Sequence, residues 1–258
     1  MTHALFCSAL ISAFVNLITA QYVYKLTQND IDDLVDEHNY LRRQAPASDI
    51  QKMVWDPNLA EMAAWRARQC VAAHTPGYQR ANLYGYDALG ENLWWSNEKS
   101  FVSGFRVVIR SFHKEIVHYD YQGRTCQPRQ MCGHYTQVVW SKSCSVGCAL
   151  AFCDRIYMST LIPRGHLLVC FYGPSGNYPG QLIFKKGARC GSCPHSCAAD
   201  GLCEPTDPQC RNLYDRQINV TRNQDRHKNV VTRTSVVNFG PNLANEAEIH
   251  DTCWIIVT

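Results

Sequence analysis

The sequence predicts an α+β fold in a disulfide-stapled chain. Three stretches of helical period come first and two short, apolar, strand-like runs follow, without the regular alternation that a parallel α/β sheet requires. The 258 residues include 14 cysteines, too many for a reducing compartment unless most of them bind metal. No Asp, Glu, Lys or Arg precedes Lys25.

The charge-free start reads as an export signal. The apolar stretch from Ala4 to Ile18 is interrupted by Ser8, Ser12 and Asn16, so it is short for a membrane span and suits a signal-peptide core. Cleavage is expected after Ala20, which assigns residues 1–20 to the signal and makes the mature protein secreted and extracellular, although Met1-Thr2-His3 lacks the usual basic residue. No other run is long and apolar enough to span a bilayer.

The first helix starts at a capping-box pair, Thr27 and Asp30, and carries Ile31, Leu34, Val35, His38 and Leu41 on one face. Asp56-Pro57 supplies an N-cap and first-turn proline for the second, whose buried stripe is Leu59, Met62, Ala63, Ala67 and Cys70. A third helix is expected from Phe101 to Tyr119, with Phe101, Phe105, Val108, Phe112, Glu115 and Tyr119 on its apolar face. Glu115 on that face is either locally exposed or aimed into a site. Gly133 to Trp140 is ambiguous between helix and strand, whereas Val146–Cys153 and Leu167–Tyr172 read as strands.

Composition then shifts. Cys190, Cys193, Cys197, Cys203 and Cys210 crowd a Gly-, Pro- and Asp-rich segment at 185–210, read as a disulfide-rich hinge. Residues 211–258 form a polar tail with seven asparagines, expected to be mostly disordered with at most one strand around Val230 to Val237. The tail holds the sole acceptable glycosylation sequon, Asn219-Val220-Thr221.

With 18% charged residues and a formal net charge of +3, the composition offers no electrostatic footprint for nucleic acid or an anionic membrane. His113 and His118 are five apart and sit on different helix faces, which excludes a zincin motif. Cys190 and Cys193 have redox-motif spacing but sit in a structural cysteine cluster. No phosphate loop and no GxSxG elbow is present. What is left is a scatter of histidines and glutamates: His74, Glu91, Glu115 and His134.

Two of them, Glu91 and His134, fall in a set of four motifs. Gly133-His134-Tyr135-Thr136-Gln137-Val138-Val139-Trp140-Ser141-Lys142-Ser143 and Leu168-Val169-Cys170-Phe171-Tyr172-Gly173-Pro174-Ser175-Gly176-Asn177-Tyr178 resemble the two signatures of the CAP superfamily (cysteine-rich secretory proteins, antigen 5, pathogenesis-related 1). His38-Asn39 and Gly90-Glu91-Asn92 match its two shorter motifs, and all four occur in family order across roughly residues 22–180. The cysteine-rich segment resembles that of glioma pathogenesis-related and peptidase-inhibitor-15-like members.

The resemblance implies a three-layer α-β-α sandwich over 21–184 with a central cleft holding His74, Glu91, Glu115 and His134. Two imidazoles and two carboxylates suit a divalent cation such as zinc, held reversibly. The alternative is that the four groups only hydrogen-bond one another and the cleft backbone. Family matching also implies the pairs Cys70–Cys153, Cys148–Cys170 and Cys126–Cys132, leaving Cys144, Cys210 and Cys253 unassigned. Phe171 departs from the second signature, where a polar residue is usual. Leu89 and Gly173 replace both halves of one family disulfide.

Functionally, the resemblance implies a secreted binding protein for a sterol, another lipid or an extracellular protein partner. The competing reading is a hydrolase, peptidase or esterase, using the His–Glu cluster as metal site or general base, with no nucleophile fixed beyond the sequence proximity of Thr136 and Ser141 to His134. A channel-blocking toxin would need a larger C-terminal cysteine module than the six cysteines after Phe184 provide.

Overall fold

The computed structural model describes the backbone of residues 21–234 and the side chains of residues 21–223. The expected signal segment, Cys7, Cys253 and the tail beyond residue 234 lie outside the described residues.

After β1 (Tyr22–Val23), helix α1 (Gln28–Gln44) starts at a reciprocal capping box. The Thr27 hydroxyl accepts from the Asp30 amide at 3.3 Å, and the Asp30 carboxylate accepts from the Thr27 amide at 2.8 Å. Strand β2 (Val54–Trp55) leads into α2 (Pro57–Ala67), where Asp56 caps the Asn58 amide at 2.9 Å and Pro57 fills the first turn. A hairpin of β3 (Ala81–Leu83) and β4 (Tyr86–Ala88) precedes β5 (Gly90–Ser96).

Helix α3 is shorter than its periodicity suggests. It runs from Phe105 to His113, because Gly104 at φ 73° breaks the chain before it, and a 3-10 turn at Lys114–His118 completes the segment and carries Glu115. The ribbon of β6 (Tyr119–Asp120) and β7 (Thr125–Cys126) follows. The ambiguous segment after it is helical, α4 (Gly133–Val138). Strands β8 (Ser145–Cys153) and β9 (Gly165–Gly173) are almost entirely buried.

The sheet runs β1-β8-β9-β5, with β2 parallel to β8 and the other pairs antiparallel. Side chains alternate across it. Val146, Leu150, Leu168 and Tyr172 pack with Leu34, Ile109, Phe112 and Val138 under α1, α3 and α4. Ala149, Ala151, Leu167, Val169 and Phe171 pack with Leu59 and Ala63 under α2. The architecture is therefore a three-layer α-β-α sandwich with β5 as its free edge. Helix α2 lies so close to β8 that a methyl at Gly147 would overlap the Ala60 amide nitrogen.

Two charged side chains lock the α1 layer. Glu37, buried in α1, accepts from Arg110 of α3 at 2.7 and 3.1 Å. Arg42 is fully buried, and its guanidinium donates to the carbonyls of Gln51 (2.6 and 2.8 Å), Val138 (2.8 Å), Trp140 (3.0 Å) and Ser143 (2.7 Å). Burial lowers it from 12.5 to about 9, which leaves it charged at neutral pH. It thereby fixes the turn between α4 and β8.

Six disulfides close the described chain: Cys70–Cys153, Cys126–Cys132, Cys144–Cys210, Cys148–Cys170, Cys190–Cys197 and Cys193–Cys203. The cysteine-rich segment lies against residues 48–52: Ser48 donates to the Lys185 carbonyl at 2.8 Å and Cys203 to that of Ile50 at 2.9 Å. Up to Arg216 the chain forms one compact unit, and residues from Gln217 form a second.

The polar tail differs from its sequence expectation: helix α5 spans Pro208–Thr234, so residues 230–234 are helical rather than part of a strand. Asp207 accepts from the Gln209 amide at 2.9 Å, Pro208 fills the first position, and the disulfide to Cys144 anchors the first turn. Asn219 is exposed on this helix.

Candidate functional site

Edge strand β5 begins Gly90-Glu91-Asn92, and its two polar side chains leave on opposite faces of the sheet. Each meets one of the helical layers. The candidate cleft is the place where those layers reach the uncovered β5 edge.

On the α2 side, the Glu91 side chain is 0% exposed. Its carboxylate accepts from His74 Nδ1 at 2.8 Å, from the Thr75 amide at 2.8 Å and from the Thr75 hydroxyl at 2.7 Å, with Arg66 Nε at 4.0 Å. Burial pushes this carboxyl up, but the bonds from His74 and Thr75 outweigh it and hold Glu91 below the usual carboxylate range. Arg66 braces the 71–75 loop by donating to the Thr75 hydroxyl at 2.9 Å and to the carbonyls of Val71 and Ala73.

On the other side, the 3-10 turn after α3 presents Glu115 to the start of α4. Glu115 accepts from His134 Nδ1 at 2.6 Å, from the His134 amide at 3.0 Å and from the Tyr135 amide at 3.3 Å. Burial raises its carboxyl, and the bonds from His134 more than reverse that. Phe112 stacks on the His134 ring at 5.0 Å between centroids.

A buried chain of hydrogen bonds forms the back wall. Asn92 Nδ2 donates to the His134 carbonyl and to the Tyr172 hydroxyl, both at 3.2 Å. The Tyr172 hydroxyl donates to His38 Nε2 at 2.9 Å, and His38 Nδ1 donates to the Leu34 carbonyl at 2.7 Å. Burial lowers His38 from 6.5 to about 4, so it is neutral. The chain couples α1, β9, β5 and α4 through three side chains and two backbone carbonyls.

The four residues singled out by sequence thus form two His–Glu pairs, anchored on or beside successive β5 residues. Among the described residues, no three His, Cys, Asp or Glu side chains converge as a metal-holding group. An ionised carboxylate can only accept, so each Nδ1 carries a proton, and in the neutral imidazole the lone pair lies on Nε2. Neither Nε2 has a protein partner among the described residues, and the His74 side chain is 59% exposed. A ligating histidine is typically held this way, with its other nitrogen donating to a carboxylate. Each pair is thus one imidazole oriented by its glutamate, and the four residues do not gather as four direct ligands.

Neither hydroxyl weighed as a nucleophile reaches an imidazole. The Thr136 hydroxyl bonds the Cys132 carbonyl at 3.0 Å and Asn177 Oδ1 at 2.7 Å. Ser141 is buried, with its amide on the Ile183 carbonyl at 2.7 Å. Sequence reasoning missed Thr75 and Arg66; the available signals were that Thr75 follows His74 directly and that Arg66 lies on the buried face of α2. Phe171 pairs with Glu91 in register but is fully buried under α2 and does not line the cleft.

The sequence model of the Cysteine-rich secretory protein family (CAP) matches residues 35–172. The chain belongs to this family. Among CAP relatives, mouse peptidase inhibitor 16 is 38% identical over 184 residues, covering 70% of this chain and 34% of the relative. Mouse glioma pathogenesis-related protein 1 is 38% identical over 179 residues, covering 68% and 65%. The chain thus matches about a third of the first and just under two thirds of the second. Of solved structures, Na-ASP-1 superposes with a TM-score of 0.56 at 25% identity, covering 69% of this chain and 48% of that one. The structure titled NaASP2 with Zn2+ gives 0.54 at 24% identity, covering 69% and 97%, and shares the CAP fold.

Proposed function

We propose that this CAP-family chain is a secreted binding protein whose β5-edge cleft holds a divalent cation reversibly and receives a sterol, another lipid or an extracellular protein partner. The observation that carries this reading is how the carboxylates are used. Glu91 and Glu115 each accept three hydrogen bonds and are held ionised by them, so they orient histidines rather than stand ready to take a proton from water. The open nitrogens, His74 Nε2 and His134 Nε2, are donors to an incoming electrophile, and a borderline ion such as zinc suits them. Secretion accords with the six disulfides of the described residues, and the exposed Asn219 would accept a glycan on the export route.

Zinc titration by calorimetry tests the cation. Heat is expected at pH 7.5, reduced in His74→Ala and in His134→Ala and weaker in acid, because protonated imidazole cannot ligate. No heat from the folded wild type refutes it. Native mass spectrometry of the unreduced, secreted protein, before and after chelation, reads cation and lipid adducts together. Hydrolysis of peptide or ester libraries that His134→Ala abolishes without unfolding would establish the enzyme reading instead.

A further inference from the structure

The loop joining β8 to β9, residues 154–164, is rigid at its base and apolar at its tip. At the base, Ile156 is buried and donates to the Pro163 carbonyl at 2.6 Å. Tyr157 donates to the Cys70 carbonyl at 2.8 Å, Ala72 returns a bond to Tyr157 at 2.9 Å, and Cys153 is disulfide-linked to Cys70. Beyond this clamp, Tyr157 is 50% exposed, Met158 76% and Leu161 90%. Leu161 therefore has almost no protein around it. Met158 sits at φ 62°, a left-handed conformation that costs an ordinary side chain energy and is kept only where its surroundings enforce it.

Charge frames this tip. Residues 155–164 hold no acid, and both ends are arginines. The Arg155 guanidinium lies 5.1 Å over the Tyr157 ring and has no carboxylate partner among the described residues. Arg164 lies 5.1 Å over the Phe152 ring and pairs with Asp154 at 3.0 Å. The register of Ser96 opposite His166 puts the 97–104 loop at the same end of the sheet, where Val102 is 79% exposed. Glu98 of that loop is engaged by Ser103 and the Val102 amide. Cys210 is tied to the opposite end of the sheet, at Cys144 beside Gly173, so the first turn of α5 stays clear of the tip.

We propose that residues 155–164 are a membrane-docking loop that places Tyr157, Met158 and Leu161 in the interfacial zone of an anionic phospholipid bilayer, with Arg155 and Arg164 on lipid phosphates. Isolated apolar side chains projecting from an acid-free, arginine-flanked tip fit a soft, negatively charged surface, which needs no complementary pocket. The base is already ordered, so docking loses little conformational freedom. Net charge averages over the whole chain and conceals this local pattern. The proposal is independent of the cleft and of any cation in it.

Vesicle co-sedimentation of the full chain tests it, with phosphatidylcholine alone and phosphatidylcholine containing about a fifth phosphatidylserine, at low and high salt. The wild type is expected to sediment with the anionic vesicles, reversibly and less as salt rises. Leu161→Glu and Met158→Glu should each lower the partition coefficient about tenfold while leaving the melting temperature unchanged. Arg155→Glu should remove the preference for phosphatidylserine. Leu161→Trp supplies an independent readout: its added emission should shift to the blue on anionic vesicles. Failure of the wild type to sediment, or binding that survives both glutamate variants, overturns the proposal. So does a dimer in solution that Leu161→Glu dissociates, since the tip would then be an interface between copies.

Discussion

Replacing His38 with glutamine should flatten the acid limb of the stability curve. In the folded protein His38 is fully buried, with both ring nitrogens bonded and its pKa lowered by burial to about 4. In the unfolded chain the same ring takes up a proton near its ordinary 6.5. Between those values the unfolded state binds more protons than the folded one, so stability rises with pH. The contribution is complete above 6.5 and is lost as pH falls toward 4. With a limiting slope of about 1.4 kcal/mol per unit that is only half developed at pH 6.5, wild type loses roughly 2 kcal/mol from this one group between pH 6.5 and 4.5. His113 and His166 are lowered by burial too and act in the same direction, so the His38 share is the difference between proteins. The assay is urea unfolding with disulfides intact, followed by tryptophan fluorescence at several pH values in that window. His38→Gln should show a fall smaller by about 2 kcal/mol. Equal slopes in the two proteins would refute the assignment of His38 as a buried neutral ring.

Arg42→Met deletes a cation that satisfies four buried carbonyls, and should cost about 3 to 5 kcal/mol, read as a drop in the denaturation midpoint; a loss under 1 kcal/mol would contradict the hydrogen-bond assignment. Gly147→Ala forces a methyl against the α2 backbone and should destabilise by about 3 kcal/mol, whereas Ala149→Gly on the same strand should cost about 1 kcal/mol. Glu91 is held below its ordinary 4.5, so its contribution is present above that value and lost as pH falls through its lowered one. The stability gap between wild type and Glu91→Gln should therefore be widest at neutral pH and close in acid, and a gap independent of pH would refute the ionised buried carboxylate.

How much of this was readable in the chain follows from how local each signal is. Thr27 with Asp30 and Asp56 with Pro57 place the starts of α1 and α2 because capping is settled within four residues. The helix period put Glu115 on the apolar face, and it meets His134 from there, although it stands on the 3-10 turn beyond α3 and stays partly exposed. Strand β5 was not legible. Gly90-Glu91-Asn92 does not alternate, and its strand character comes from β9, more than seventy residues away. Its polar side chains are tolerated only because Thr75, His74 and Tyr172 arrive from elsewhere to satisfy them. Helix α5 was hidden for a different reason. Polarity argued for disorder, while Asp207-Pro208, the same start signal as Asp56-Pro57, went unread. The pairing of Cys144 with Cys210 was unreadable because it joins two segments that only the fold brings together.

That last disulfide determines what a protease can release. It bridges 66 residues and spans the loop between β8 and β9, the turn after β9 and the whole cysteine-rich segment. A nick anywhere between Cys144 and Cys210 leaves two fragments covalently joined, so the nicked molecule migrates as one species until it is reduced. Only a cut beyond Cys210 frees α5 from the core without a reductant. Whatever the C-terminal region engages is therefore tethered to the first residue before β8, and its attachment outlasts damage to the loops in between.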